Sequence, residues 1–182
     1  MGEGMNLIEK RRAEELVYDG TLLKIWRTQV ELADGQQAVR EWIKHPGAAA
    51  VIPVFPNGDT LLVRQFRYPV GRETLEIAAG KIDPGETPLE CAVRELSEET
   101  GLVEGEFIQV GTVITTPGFT NEEIHLYVCQ HPSRGPVHPD DGELIGCIRV
   151  PLTEVFQQIA DGRIKDGKTV MAFLLAQAKG VI

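Results

Sequence analysis

The stretch that decides the fold runs from Gly80 to Leu102 and reads GKIDPGETPLECAVRELSEETGL. Its second half predicts a helix over 88–100. Thr87 can cap it, Pro88 suits the first helical position, and Glu90 completes a Thr-x-x-Glu box in which side chains satisfy the unpaired backbone N–H groups. Gly101 ends it, since glycine tolerates the left-handed conformation there. Leu89, Ala92, Val93 and Leu96 recur at i, i+3, i+4, i+7 as the apolar stripe, and Glu90 with Arg94 forms a favourable i,i+4 pair. Glu95, Glu98 and Glu99 crowd one side, where like charges cost roughly 0.2–0.5 kcal/mol per pair. On a wheel of about 100° per residue, Glu95 and Glu99 lie about 40° apart and Glu98 about 60° from Glu95. Oxygen-only ligands so arranged suit a hard cation such as Mg2+ or Mn2+, which takes a few carboxylates and keeps waters for phosphate oxygens. A solvated charged face is the bland alternative; the neighbouring sequence decides between them.

Outward from this segment the chain has 182 residues, 42% apolar, with 27 acidic against 18 basic residues and a net charge of −9. That balance repels a polyphosphate backbone, so nucleic acid is not an expected partner, and a phosphate-bearing small ligand needs a cation or local arginines to enter. Three cysteines, Cys91, Cys129 and Cys147, have no metal or disulfide spacing and point to a reducing, cytoplasmic setting. No apolar run is long enough to span a bilayer. His125, His131 and His138 lack ligand spacing and read as surface or loop residues.

Turn chemistry and hydrophobic period divide the chain. Residues 14–45 predict three short strands, around Leu16–Tyr18, Leu22–Leu32 and Ala38–Lys44, with Ala33-Asp34-Gly35 reversing the last two. His45-Pro46-Gly47 punctuates the chain, after which AAAVIPVF reads as a strand buried on both faces and Thr60–Phe66 as another. Further strands are expected at Phe107–Ile114, Ile124–Cys129 and Ile145–Val150. Helices are expected at Leu152–Ala160 and Lys168–Lys179, the second with Val170, Phe173, Leu174 and Ala178 on one face.

The Gly80–Leu102 stretch, with Gly80, Glu86 and Arg94-Glu95-Leu96-Ser97-Glu98-Glu99-Thr100-Gly101-Leu102 at their spacings, resembles the Nudix box at each of its defined positions. The resemblance implies metal-assisted hydrolysis of a nucleoside diphosphate linked to another moiety. It implies Glu95 and Glu99 as direct metal ligands, Glu98 next, the Ala79 carbonyl joining them, and Arg94 orienting the carboxylates, with Mg2+ or Mn2+ as the ion. Thr115-Thr116-Pro117-Gly118-Phe119-Thr120, whose proline stands 16 positions beyond Gly101, is similar to the substrate loop of ADP-ribose pyrophosphatases in that family. Arg64-Gln65-Phe66-Arg67 is similar to a segment whose second arginine contacts substrate, which here is Arg67. Asp140-Asp141-Gly142-Glu143-Leu144 resembles the loop that carries the general base, making Glu143 the candidate, although Gly146 stands where relatives often carry a second acid.

The same resemblance implies an α/β fold, the Nudix α/β/α sandwich at 46–182, preceded by a β-rich extension at 1–45. Such an extension is exchanged between the subunits of a homodimer and supplies base contacts, here matched to Leu22, Arg40 and Glu41. Trp26 and Trp42 read as core or dimer contacts. The implied substrate is ADP-ribose or a related nucleoside diphosphate sugar, split into a nucleoside monophosphate and a sugar phosphate. Alternatives within the family are GDP-mannose, dinucleoside polyphosphates or NADH. Outside catalysis, an ADP-ribose-sensing domain would show an eroded box, and a divalent-ion buffer would not require the proline loop or Arg67.

Overall fold

A computed structural model describes residues 6–135 and 145–182; His138, Asp140, Asp141, Gly142 and Glu143 lie outside the described residues. The chain forms two compact units. The first holds the residues up to His45 together with Thr116–Glu122, and the second holds Pro46–Thr115 and Glu123–Ile182.

In the first unit β1 (Lys10–Asp19), β2 (Lys24–Glu31) and β3 (Gln37–Ile43) form an antiparallel meander in that order. The β2–β3 reversal uses Gly35 at φ +87°, a conformation that glycine adopts without steric cost. β1 extends well beyond the Leu16–Tyr18 reading. Its first half, Lys-Arg-Arg-Ala-Glu-Glu, has no apolar alternation and pairs through cross-strand register such as Lys10 opposite Glu31. The segment Thr116–Glu122 joins this unit through the Ile43 amide, which donates to the Phe119 carbonyl at 2.8 Å. The His45 amide likewise donates to Asn121 Oδ1 at 2.8 Å. Trp42 Nε1 donates to Thr28 Oγ1 at 2.9 Å inside the meander.

The second unit is built on a mixed sheet. Its strands are β4 (Ala48–Val54), β5 (Asp59–Arg67), β6 (Arg72–Glu76), β7 (Ala78–Lys81), β9 (Glu106–Ile114), β10 (Glu123–Gln130) and β12 (Gly146–Pro151). The main path runs β12-β5-β4-β10-β9, with β6 paired to β5 and β7 to β4. Among the described strands of this sheet only β4 and β10 run parallel. Short β8 (Leu102–Val103) and β11 (Ser133–Arg134) form a separate ladder. The helices are α1 (Pro88–Thr100), α2 (Leu152–Ala160) and α3 (Gly167–Ala178).

β4 explains the layering. Successive strand side chains point to opposite faces, and Ala48, Ala50 and Ile52 pack in one core cluster with Val155 of α2 and Phe173 of α3. Ala49 and Val51 pack in the other with Cys91, Ala92 and Leu96 of α1. The sheet thus lies between α1 and the α2/α3 pair, an α/β/α sandwich. Among the described residues no helix is long and apolar enough to cross a membrane.

Two details of helix burial correct the sequence reading. Leu89 and Val93 are exposed, and the buried face of α1 is Cys91, Ala92 and Leu96. Small Ala49 and Ala78 let the helix approach along that line, which turns the Leu89–Val93 edge outward. In α3 the buried residues are Thr169, Ala172, Phe173 and Ala176, while Leu174 is exposed. Strands β6 and β7 have no counterpart in the sequence reading.

Candidate functional site

The cap of α1 forms as its sequence dictates. Thr87 accepts from the Glu90 amide and Glu90 accepts from the Thr87 amide, the reciprocal box, with Gly101 closing the helix at φ 66°. Glu90 is committed to this box, so Arg94 pairs elsewhere, a correction to the i,i+4 pair read from sequence. Arg94 Nε and Nη2 donate to the two oxygens of Glu86 at 2.9 and 3.0 Å. Nη1 donates to Glu95 at 2.7 Å and Glu98 at 2.9 Å. One guanidinium therefore holds three carboxylates, two from its own helix and one from the preceding loop. The Arg94 hydrogen bonds, aided by the Asp83 amide, hold the Glu86 carboxyl down at about 2. Those carboxylates in turn raise the already high pKa of Arg94.

The turn of the buried face brings the acidic edge of α1 against β7. Glu99 Oε2 accepts from the Ala79 amide at 3.1 Å. Gly80 faces Glu95: a Cβ there would lie 2.6 Å from Glu95 Oε2 and closer still to the rest of the carboxylate. Glycine here makes room for an acid, which is a close-approach requirement and not a turn requirement. Glu95 and Glu99 are thus delivered to two consecutive residues of one strand, alongside the Ala79 backbone. Among the described residues no three acidic, histidine or cysteine side chains form a ready-made cation cage. The donor set of two carboxylates and adjacent carbonyls suits an octahedral hard cation that keeps several waters.

Arg67 stands at the end of β5 and, among the described residues, is hydrogen-bonded on one edge only. Its Nε and Nη2 donate to the two oxygens of Glu76 at 2.8 and 2.6 Å. Glu76 is 1% exposed. Thr74 Oγ1 donates to Glu76 Oε1 at 2.6 Å, and Lys168 Nζ donates to Oε2. Burial pushes the Glu76 carboxyl up, but the Arg67 and Lys168 bonds and charges outweigh it and hold it at about 2. Glu99 is among the charges acting on Arg67. A cavity of about 360 Å³ opens beside this group, lined in part by Arg67, Arg72, Lys165 and Lys168.

The remaining candidates fall in the first unit or outside the described residues. Leu22 is exposed between β1 and β2. Arg40 pairs with Glu9 and Glu41 with Arg27, and as neighbours on β3 they face opposite sides of the meander. Thr116, Pro117 and Gly118 lie in the loop that packs on Ile43 and His45. Glu143, the candidate base, is outside the described residues. Sequence reasoning missed Glu76 and Lys168, because they are 92 residues apart and no spacing rule connects them.

Residues 44–173 match the NUDIX domain. An ADP-ribose pyrophosphatase of Bacillus subtilis is 34% identical over 96% of this chain and 95% of its own. A methanol dehydrogenase activator of Bacillus methanolicus is 39% identical over 90% of both. A GDP-mannose pyrophosphatase of Yersinia enterocolitica is 36% identical over 80% of this chain and 81% of its own. In fold, the crystal structure of an ADP compounds hydrolase superposes with a TM-score of 0.84 at 22% identity, covering 98% of this chain and all of that one.

Proposed function

The chain belongs to the NUDIX family, and from that premise we propose that it is a divalent-metal-dependent pyrophosphatase. Its substrate in this reading is ADP-ribose or a related nucleoside diphosphate sugar, cleaved to a nucleoside monophosphate and a sugar phosphate. The observation that carries the proposal is the delivery of Glu95 and Glu99, one helical turn apart, onto Ala79 and Gly80. The substrate class is supported by two relatives named for ADP-ribose and GDP-mannose, both nucleoside diphosphate sugars.

In this reading Glu95, Glu99 and the Ala79 carbonyl hold Mg2+, with Mn2+ as a substitute, and Glu98 completes the acidic edge. When bound, the cation neutralises charge growing on the pyrophosphate and acidifies water. Arg94 holds Glu86, Glu95 and Glu98 in place through its hydrogen bonds. Arg67 offers its Nη1 end to a phosphate oxygen, and Glu143 accepts a proton from the attacking water. Thr116, Pro117 and Gly118 are proposed sugar and phosphate contacts. Leu22, Arg40 and Glu41 are proposed to meet the base in a homodimer that exchanges N-terminal sheets, with residues 1–45 as that extension and 46–182 as the catalytic segment. The exposure of all ten β1 residues, among them Leu16, Val17 and Tyr18, supports this pairing. The free thiols of all three cysteines support a cytoplasmic location.

The test is a panel of ADP-ribose, GDP-mannose, ADP-glucose, NADH and diadenosine polyphosphates with Mg2+ or Mn2+, scored by phosphate release after phosphatase coupling. Glu99→Gln is expected to retain its fold and lose about 10³-fold in rate, the scale of a few kcal/mol of transition-state stabilisation. Near-full turnover by that variant at saturating Mg2+ would remove Glu99 from the metal site. A second reading follows from the Bacillus methanolicus relative, whose name is that of an activator of another enzyme. It is favoured if no member of the panel is hydrolysed.

A further inference from the structure

We propose that Lys168 is a positioning residue for Arg67: by pinning one oxygen of buried Glu76 while Thr74 pins the other, it fixes the plane in which Arg67 presents its free edge to the substrate. The inference rests on the reading of Arg67 as a substrate contact.

The geometry divides the guanidinium in two. Nε and Nη2 are spent on Glu76, whereas Nη1 has no hydrogen-bond partner among the described residues. The side chain remains 42% exposed beside the cavity. A bidentate pair sets the direction of the free edge only if the carboxylate itself cannot rotate. Here it cannot: Thr74 holds Oε1 and Lys168 holds Oε2. Lys168 is itself constrained, with a side chain only 12% exposed and a second ion pair to Asp166 at 3.1 Å.

Asp166 ties the arrangement to α3. It caps the helix by accepting from the Thr169 amide at 3.0 Å and from the Thr169 hydroxyl at 2.6 Å. That hydroxyl accepts from the Ile77 amide at 2.9 Å. The first turn of α3 therefore grips two consecutive residues, Glu76 through Lys168 and Ile77 through Thr169, just before Ala79 and Gly80. Arg67, Lys168, Glu76 and Asp166 together are neutral in formal charge. Without Lys168 the two acids would outnumber the arginine, and Glu76 could turn to follow Arg67 instead of directing it.

The experiment uses full-length protein and the best substrate of the panel. Lys168→Met, which keeps length and removes the ammonium, is expected to raise KM about 3- to 10-fold with kcat within about twofold, the scale of a coupled charged contact. Arg67→Ala is expected to raise KM about 10- to 100-fold, and adding Lys168→Met to it to change KM no further. Lys168→Arg, which keeps a cation in reach of Oε2, is expected to recover most of the loss. Independently of substrate, the Arg67 Nε–H resonance is expected to be slow in solvent exchange in the wild type and to broaden in Lys168→Met. An unchanged KM or an unchanged Arg67 resonance in Lys168→Met overturns the proposal, as does an equal KM factor with and without Arg67. If Arg67→Ala itself leaves KM unaltered, the substrate reading of Arg67 falls first and the proposal falls with it.

Discussion

Acidification strikes Glu76 in a way that can be worked from its surroundings. Its carboxyl is fully buried and sits at about 2, against an ordinary 4.5, because Arg67, Lys168 and Thr74 outweigh the cost of burial. A folded-state value below the unfolded one means that the unfolded chain takes up the proton first as pH falls. The stability this group contributes is present above about 4.5 and is lost between there and about 2. The shift of about 2.5 units is worth roughly 3 kcal/mol at neutral pH, and roughly 2 kcal/mol of that is gone at pH 3. Glu86, held near the same value by Arg94, titrates in the same window, so Glu76 must be isolated by difference. Urea unfolding followed by far-ultraviolet circular dichroism at pH 7, 5.5, 4 and 3, on wild type and Glu76→Gln, supplies it. The variant is expected to be less stable at pH 7 by about 3–5 kcal/mol, since the buried Glu76 carboxylate is lost and Arg67 and Lys168 lose the counter-ion they share. The gap is expected to narrow by roughly 2 kcal/mol between pH 5.5 and pH 3. A gap that stays constant across that range refutes the argument, because Glu76 would then titrate alike in both states.

Three further outcomes follow. Gly80→Ala forces the Glu95 carboxylate to retreat, from 2.6 Å to an ordinary contact beyond 3.4 Å at Oε2 alone; activity is expected to fall about 10²-fold while the melting temperature changes little, and equal losses of both would point to a packing defect instead. Glu143→Gln is expected to lower kcat by about 10²- to 10⁴-fold with KM little altered, and Asp140→Asn and Asp141→Asn to cost far less; a variant keeping more than about a third of kcat moves the base elsewhere. Deleting residues 1–45 is expected to give a poorly soluble or monomeric product with weak substrate affinity, and a stable monomer by sedimentation with unchanged KM contradicts the exchanged-sheet proposal.

What the sequence discloses is set by how local each signal is. Helix α1 was legible to the residue because its cap, first proline and terminal glycine are adjacent in the chain, and the both-sided burial of β4 was legible because seven consecutive residues are apolar or proline. β6 and β7 were not, since Arg-Glu-Thr-Leu-Glu and Ala-Ala-Gly-Lys carry no clear alternation and exist by pairing with β5 and β4. The spacing of Glu95 and Glu99 put them on one edge. That the edge rests on Ala79 and Gly80 depends on which face of α1 is buried, and that choice was made by small residues in distant strands. The partners of Arg67 were hidden for the same reason.

The seam between Ile43, His45 and the Thr116–Glu122 segment has a consequence for how the protein is made. His45 and Asn121 are 76 residues apart, yet their backbone and side chain are bonded twice, at 2.8 and 3.1 Å. At translation rates of about 5–20 residues per second, the ribosome needs roughly 4–15 s to travel from the end of β3 to that loop. Throughout that interval the Ile43 and His45 amides and the His45 carbonyl lack the Phe119 and Asn121 partners they have in the folded unit. The N-terminal sheet, synthesised before the sandwich, is completed only once Thr116–Glu122 has emerged, and a nascent chain halted before Thr116 exposes a meander with an unfinished border.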